Sequence, residues 1–257
     1  MQARTAPSAG VTFWALVRAE RIAYGRGART LVWTALVPVC ILVLGELEVP
    51  QGLRHTSAPT LEIVALAITT GAFALGLFGY GSTLANHRDR GIFQRLRCAP
   101  VPSWQLLGAR SVVQLLGVVV QSLAVFMVAR VAYGVAPGGK GALLASVVIV
   151  ASGIAALAIG QVVVALSRSA STATAVSRLL LVVLFLLEGV FVATQSWPVW
   201  LQQVADGTPV RLSLNLLTDA LVHQRWDPSD LRDLSGLLVW TAILGYIGVT
   251  RFRWESE

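Results

Sequence analysis

Few side chains in this sequence carry chemistry, and each kind points to a different activity. The stretch GVAPGGKG, residues 134–141, comes close to the phosphate-binding pattern G-x-x-x-x-G-K-[ST]. In that pattern backbone N–H groups cradle phosphates and the final hydroxyl holds magnesium. Gly141 stands where the hydroxyl is required, and no apolar strand leads into the stretch, so it reads as a tight turn. His55, His87 and His223 are scattered and make no metal-ligand spacing. The patterns H-E-x-x-H and G-x-S-x-G are absent, and Ser167, Ser169 and Ser171 read as polar turn residues. Cys40 lies within an apolar run and Cys98 in a loop expected on the reducing side, so no disulfide is expected. No catalytic residue, no metal site and no cofactor of this chain's own is expected, and the chain is not expected to be an enzyme.

Two features remain. Glu188 is a carboxylate well inside an apolar run, where a charge facing lipid is disfavoured by several kcal/mol, so it is expected to face protein or a wet cavity. Two roles stay open: it caps the turn around Gly189, or it faces a path between two subunits and helps to gate or bind cargo. The second feature is HRDRGIFQRLRCAPVPSW, residues 87–104, which packs four arginines and one acid between two apolar blocks. A solvated turn needs only a few polar residues, and it needs neither Phe93 nor the punctuation of Gly91 and Pro100. A short helix with Ile92, Phe93 and Leu96 on one side would fill a groove on a soluble partner, and its arginines would pair with acids there.

The elements that hold these residues follow from composition. Of 257 residues 55% are hydrophobic and 13% charged, with mean hydropathy +0.70. A water-exposed surface needs about twice that charge, so the chain reads as an all-α integral membrane protein. Six apolar runs approach or reach spanning length: 31–47, 63–84, 112–133, 142–166, 173–193 and 234–250. Residues 11–24, VTFWALVRAERIAY, read as an amphipathic interfacial helix with Phe13, Trp14 and Val17 on its apolar side. With the N-terminus inside, 14 of the 20 basic residues fall on inner segments and six on outer ones, which orients both termini to the cytoplasm. Topology therefore explains the net charge of +7, and nucleic acid is not expected as a partner.

The whole chain, 1–257, reads as one transmembrane domain, with an N-terminal segment 1–29, a cytoplasmic loop 86–110 and an outer loop 194–233. The outer loop is apolar throughout but too broken to span, so short re-entrant helices are expected there. Ser152, Ala156 and Gly160 recur every four residues, a stripe that lets helices approach closely, either within one bundle or at a subunit contact.

Six spans, an amphipathic N-terminal helix and RDRGIFQRLRCAPVPSWQLLGAR together resemble the permease subunits of ABC-2 type exporters. The resemblance rests on Asp89, Gly91, Arg95, Leu96, Arg97 and Pro100, with Ala99 where Thr is common. The segment EGVFVATQSWPVWLQQVADGTPVRLSLNLLTDALV is similar to the family's outer loop, and Glu188 departs from it, since a small or apolar residue is more usual before that Gly. The resemblance implies a half-transporter that pairs with a second permease, identical or related, in membrane lipid. It also implies two copies of a cytoplasmic ATPase that bind ATP and Mg. Arg88, Asp89, Arg90, Gly91, Ile92, Phe93, Arg95, Leu96, Arg97 and Pro100 would form the coupling helix. Drug and antibiotic exporters of this kind suggest a hydrophobic or amphiphilic cargo, and the arginine-rich, lysine-poor composition suggests a bacterial inner membrane. Phe73, Leu77, Phe78, Leu184, Glu188 and Phe191 are expected to line its path between paired subunits. The alternative is a secondary transporter driven by an ion gradient, which usually shows several ionisable groups near the midplane.

Overall fold

The computed structural model describes residues 9–26, 28–50, 57–82, 84–85, 103–190 and 197–251, and every regular element among them is helical. The chain runs α1 (Ala9–Arg26), α2 (Ala28–Glu48), α3 (Ser57–Ala74) with a π-helical continuation (Leu75–Ser82), α4 (Ser103–Tyr133), α5 (Gly139–Leu166), α6 (Ala170–Glu188), α7 (Val199–Asp206), α8 (Pro209–Thr218) with a π turn (Asp219–His223), and α9 (Pro228–Thr250). Among the described residues five helices are long and apolar enough to cross a membrane: Ser57–Gly81, Leu107–Tyr133, Gly139–Leu166, Ala170–Glu188 and Pro228–Thr250. The first apolar run falls on α2, which is 21 residues long and carries Pro38 inside it.

The span ends differ from those expected, for local reasons. The fifth stops at Glu188 instead of continuing to residue 193. Gly189 takes a left-handed conformation (φ 92°), and its N–H closes the helix on the carbonyls of Leu186 and Phe185. The last begins at Pro228, six residues before the apolar run, because Asp227 and Asp230 make a reciprocal capping box with proline in the first turn. Residues 103–110, assigned from sequence to the cytoplasmic loop, are the first turns of α4.

The closest packing is between the π-helical stretch and α5. Gly76 lies directly on the Ala156 carbonyl, and the Gly76 carbonyl lies on Gly160, so a Cβ at either glycine would overlap the opposing backbone. The small-residue stripe of α5 is thus used inside one bundle: Ala156 and Gly160 pack on span two of the same chain, and Ser152 is buried as well. Glutamines from α4 occupy the space left by two further glycines. Gln114 Nε2 packs where a Gly79 Cβ would sit and donates to the Leu75 carbonyl at 3.3 Å. Gln121 does the same at Gly71, donating to the Ile68 carbonyl at 3.5 Å. A π-helix shifts the backbone pairing by one residue, and side chains from a neighbour then supply partners that lipid cannot.

At one end of the bundle, here the proximal end, α1 packs Phe13, Leu16 and Val17 onto Ala109, Val112 and Val113 of α4. Trp14 does not share that side as expected; it is exposed together with Val11 and Ile22. Arg110, only 7% exposed, lies within the electrostatic reach of Glu20 on α1 and of Tyr80 on the π stretch. Ser111 donates to the Tyr80 hydroxyl at 3.4 Å.

The short helices of the outer loop sit at the opposite, distal end. In α8, Val210, Leu212, Leu214, Leu216 and Leu217 are buried, and all but Val210 join the main core with residues of α3, α5 and α9. In α7, Val199, Trp200 and Val204 are exposed, and the Trp240 indole of α9 donates to the Gly207 carbonyl just after it, at 2.9 Å. The greasy composition of residues 194–233 thus divides into a buried helix and a surface helix.

Gly76→Ala places a methyl against backbone that has no side chain to yield. Overpacking of this kind costs about 1–3 kcal/mol, and we expect a clear fall in the thermal midpoint of the purified chain in detergent. Gly245→Ala, where an added Cβ meets open space, is expected to leave the midpoint unchanged. Equal midpoints for the two variants would refute the role given to this contact.

Candidate functional site

The distal ends of α3, α6 and α9, with α8, line an open pocket of about 580 Å³. Its walls carry five carboxylates, Glu62, Glu188, Asp219, Asp230 and Asp233, and one cation, Arg211, with Ile63, Leu66 and Leu214 between them. Sequence reasoning singled out only Glu188. The others come from segments that are far apart in the chain, and the antiparallel order of the helices brings them to one end.

Glu188 is held at the last residue of α6 by the glycine that ends the helix. It is 1% exposed. The Thr70 hydroxyl of α3 donates to its Oε2 at 2.8 Å and also lies 2.6 Å from the Leu66 carbonyl, so one hydroxyl ties the carboxylate to the α3 backbone. Oε1 is buried with no hydrogen-bond partner. Of the two roles left open, capping is not what the carboxylate does: the backbone of Gly189 closes the turn itself. The Arg211 guanidinium, from α8, donates to the Glu188 main-chain carbonyl at 3.1 Å and approaches Asp206 Oδ1 at 3.5 Å. Arg211 therefore latches α8 onto the end of α6 through the backbone carbonyl.

The remaining acids are placed by caps and turns. Asp230 accepts the Asp227 N–H at 2.7 Å, as the capping box requires. Asp219 pairs with His223 Nδ1 at 2.9 Å across the π turn. Burial raises the Asp219 pKa, the hydrogen bond with Asp230 and the charge of Asp230 push the same way, and His223 opposes them. Asn215 donates to Asp233 at 3.4 Å. Among the described residues no three His, Cys, Asp or Glu side chains converge as metal ligands.

A second buried acid escaped the sequence reading. Glu46, in the last turn of α2, is 8% exposed and its Oε1 has no hydrogen-bond partner. Its signal was its place at the end of the first apolar run.

The residues expected to line a cargo path are placed differently. Phe73, Leu77 and Leu184 are buried together in a core cluster with Ala156, Ile159 and Val210. The apolar, bulky character that suggested a lining is what packs α3 and its π stretch against α5 and α6. Phe78 is half-buried, and Phe191 lies outside the described residues. So do Arg88, Asp89, Arg90, Gly91, Ile92, Phe93, Arg95, Leu96, Arg97 and Pro100. The stretch 134–141 forms the turn expected of it: Gly134 has φ 69°, α5 starts at Gly139, and Gly141 packs on the Ala220 carbonyl.

The chain matches the family described as ABC-2 type transporter over residues 11–222, well over half its length. The match takes in the arginine-rich loop and, at the cavity, the residues of α3, α6 and α8. Among curated proteins none matches the chain.

Thr70→Val removes the donor to Glu188 and leaves both carboxylate oxygens buried without it. An orphaned buried acceptor costs about 1–3 kcal/mol, more when charged. We expect a lower thermal midpoint in detergent for Thr70→Val, largely restored in the double variant Thr70→Val with Glu188→Leu. Additive losses in the pair would show that the two side chains are not coupled.

Proposed function

The chain belongs to the ABC-2 type transporter family, and on that premise we propose that it is the permease subunit of an ATP-driven exporter, carrying a hydrophobic or amphiphilic substrate outward. Its energy comes from a separate cytoplasmic ATPase, two copies of which bind ATP and Mg. The observation that carries this reading is the family match across 11–222, set beside a sequence whose nearest approach to a phosphate-binding loop lacks the hydroxyl. The membrane is a bacterial inner membrane, with both termini cytoplasmic; the arginine bias of the loops supports that orientation.

In this arrangement residues 88–100 dock on the ATPase. Phe93, Ile92 and Leu96 fill its groove, while Arg95 and Arg97 pair with acids around it. A second permease, identical or related, completes the transporter. The exposed apolar row Val176, Leu179, Val183 and Leu186 on α6 is available to that subunit and to lipid. Motion of the docked loop reaches the bundle through two neighbours. One is the start of α4, where Arg110 lies near α1 and Tyr80. The other is the π stretch, which bears directly on α5. Cargo leaves by the distal end, beside Glu188 and α8.

The purified chain is expected to hydrolyse no ATP and to copurify with a cytoplasmic ATPase. Robust turnover by the isolated chain, or transport in vesicles that follows an ion gradient and ignores ATP, would refute the reading. Phe93→Ala removes an anchor whose burial contributes roughly 1.5–3 kcal/mol. It is expected to abolish both transport and transport-stimulated ATPase while the chain still inserts normally. Wild-type transport by Phe93→Ala would remove this loop from coupling.

A further inference from the structure

We propose that the groove between the distal halves of α4 and α5 holds one anionic phospholipid of the surrounding leaflet, with Arg130 on its phosphate and an acyl chain along the groove. This goes beyond the exporter reading and does not depend on it, since it needs only a membrane around the bundle.

The groove has a volume of about 530 Å³. Its sides are Leu123, Phe126 and Met127 of α4 and Ile149 and Val150 of α5. Two serines line it as well, and both hydroxyls are engaged by their own helices. Ser122 donates to the Val118 carbonyl at 2.9 Å, and Ser146 to the Leu143 carbonyl at 2.6 Å. The walls therefore leave no hydroxyl in need of a partner, and hydrocarbon suits them.

Length and level fit one leaflet. On α4 the groove runs from Val119, near the middle of the span Leu107–Tyr133, to Arg130, one turn from its distal end. That rise is about 16 Å at helical pitch, and half of a hydrocarbon layer is about 15 Å. A helix from a second copy would cross both leaflets and would need the proximal half of the span too. The groove stops at mid-depth, as an acyl chain does.

The charge sits at the end where a headgroup lies. Arg130 is the one charged residue that lines the groove. It is exposed, and among the described residues none pairs with it. The turn at this end brings Ala136 and Pro137 to the groove and leads into α5, which begins at Gly139 with no side-chain cap. The positive end of the α5 dipole thus stands beside the same end of the groove, and it too favours an anion. The stretch GVAPGGKG lacks the hydroxyl that holds magnesium in a nucleotide loop, but a lipid phosphate needs no magnesium. A zwitterionic headgroup brings its own ammonium to this place and gains less from Arg130.

The test titrates the full chain, purified in detergent, with dioleoyl phosphatidylglycerol or dioleoyl phosphatidylcholine, which share their tails. Native mass spectrometry counts the lipids retained, and the thermal midpoint of each variant without lipid checks folding. One phosphatidylglycerol per chain is expected, held about fivefold more tightly than phosphatidylcholine, in line with one arginine at an anionic headgroup. Arg130→Gln should erase that preference. Ser146→Phe fills the groove from an exposed position and should remove retention of both lipids. Arg130→Gln carries the test alone if the phenylalanine variant does not fold. Arg225→Gln, whose charge is already paired with Asp227, should change nothing. Equal affinity for the two lipids, a preference that survives Arg130→Gln, or an equal loss in Arg225→Gln would overturn the site. So would full retention in Ser146→Phe, or a dimer that this variant dissociates, since the groove would then hold a second copy of the chain.

Discussion

The contact between the π stretch and α5 is the constraint from which the rest of the bundle follows. Lipid tails are as apolar as leucine, so helices in a membrane gain little by hiding apolar surface from them. Close van der Waals packing and internal hydrogen bonds must do the work. Here two backbones touch, Gly76 on Ala156 and Gly160, which fixes the distance and crossing of span two against span four. Once those two helices are locked, α4 lies across them with Gln114 and Gln121 reaching into the glycine gaps. On the other side α6 packs Leu184 onto Phe73 and Leu77.

That geometry also decides where polar groups go. Carbonyls near the widened helix have no water to turn to, and the α4 glutamines meet two of them. Thr70, one turn before the widening, bridges its own helix to Glu188. At the distal end the short helices of the outer loop contribute both packing and charge. Buried leucines of α8 complete the main core, and Arg211 on the same helix fastens it to α6. The acids around this seam line one shared pocket, because α3, α6, α9 and the π turn after α8 each bring a carboxylate to the same end.

Much of the fold was legible in the sequence, since apolar runs of spanning length leave few choices. The all-helical membrane class, the short helices after Glu188 and the close-packing stripe at Ser152, Ala156 and Gly160 all follow from composition and spacing. Helix ends were harder. The Gly189 stop and the Asp227 cap depend on a few atoms of backbone geometry, and hydropathy averages over them. The cavity was least legible. Glu188 stood out because it is the one carboxylate well inside an apolar run, but Thr70, Arg211 and Asp230 look ordinary in their own segments and come together only when four helices meet. Phe73, Leu77 and Leu184 show the converse ambiguity. Large apolar side chains serve equally as cavity walls and as core, and sequence has no term that separates the two.

The glycine that ends α6 has one more effect. At 19 residues α6 is about 28 Å long, close to the thickness of a hydrocarbon layer, whereas α4 has 31 residues. The two cannot both match the same slab while upright. Either α4 leans and extends past the surface, or the bilayer beside α6 dimples, which lowers the water boundary toward Glu188. Lipid chain length thereby becomes a setting on the protein: long-chain membranes would seal the cavity mouth deeper in oil, and short-chain ones would let its floor hydrate.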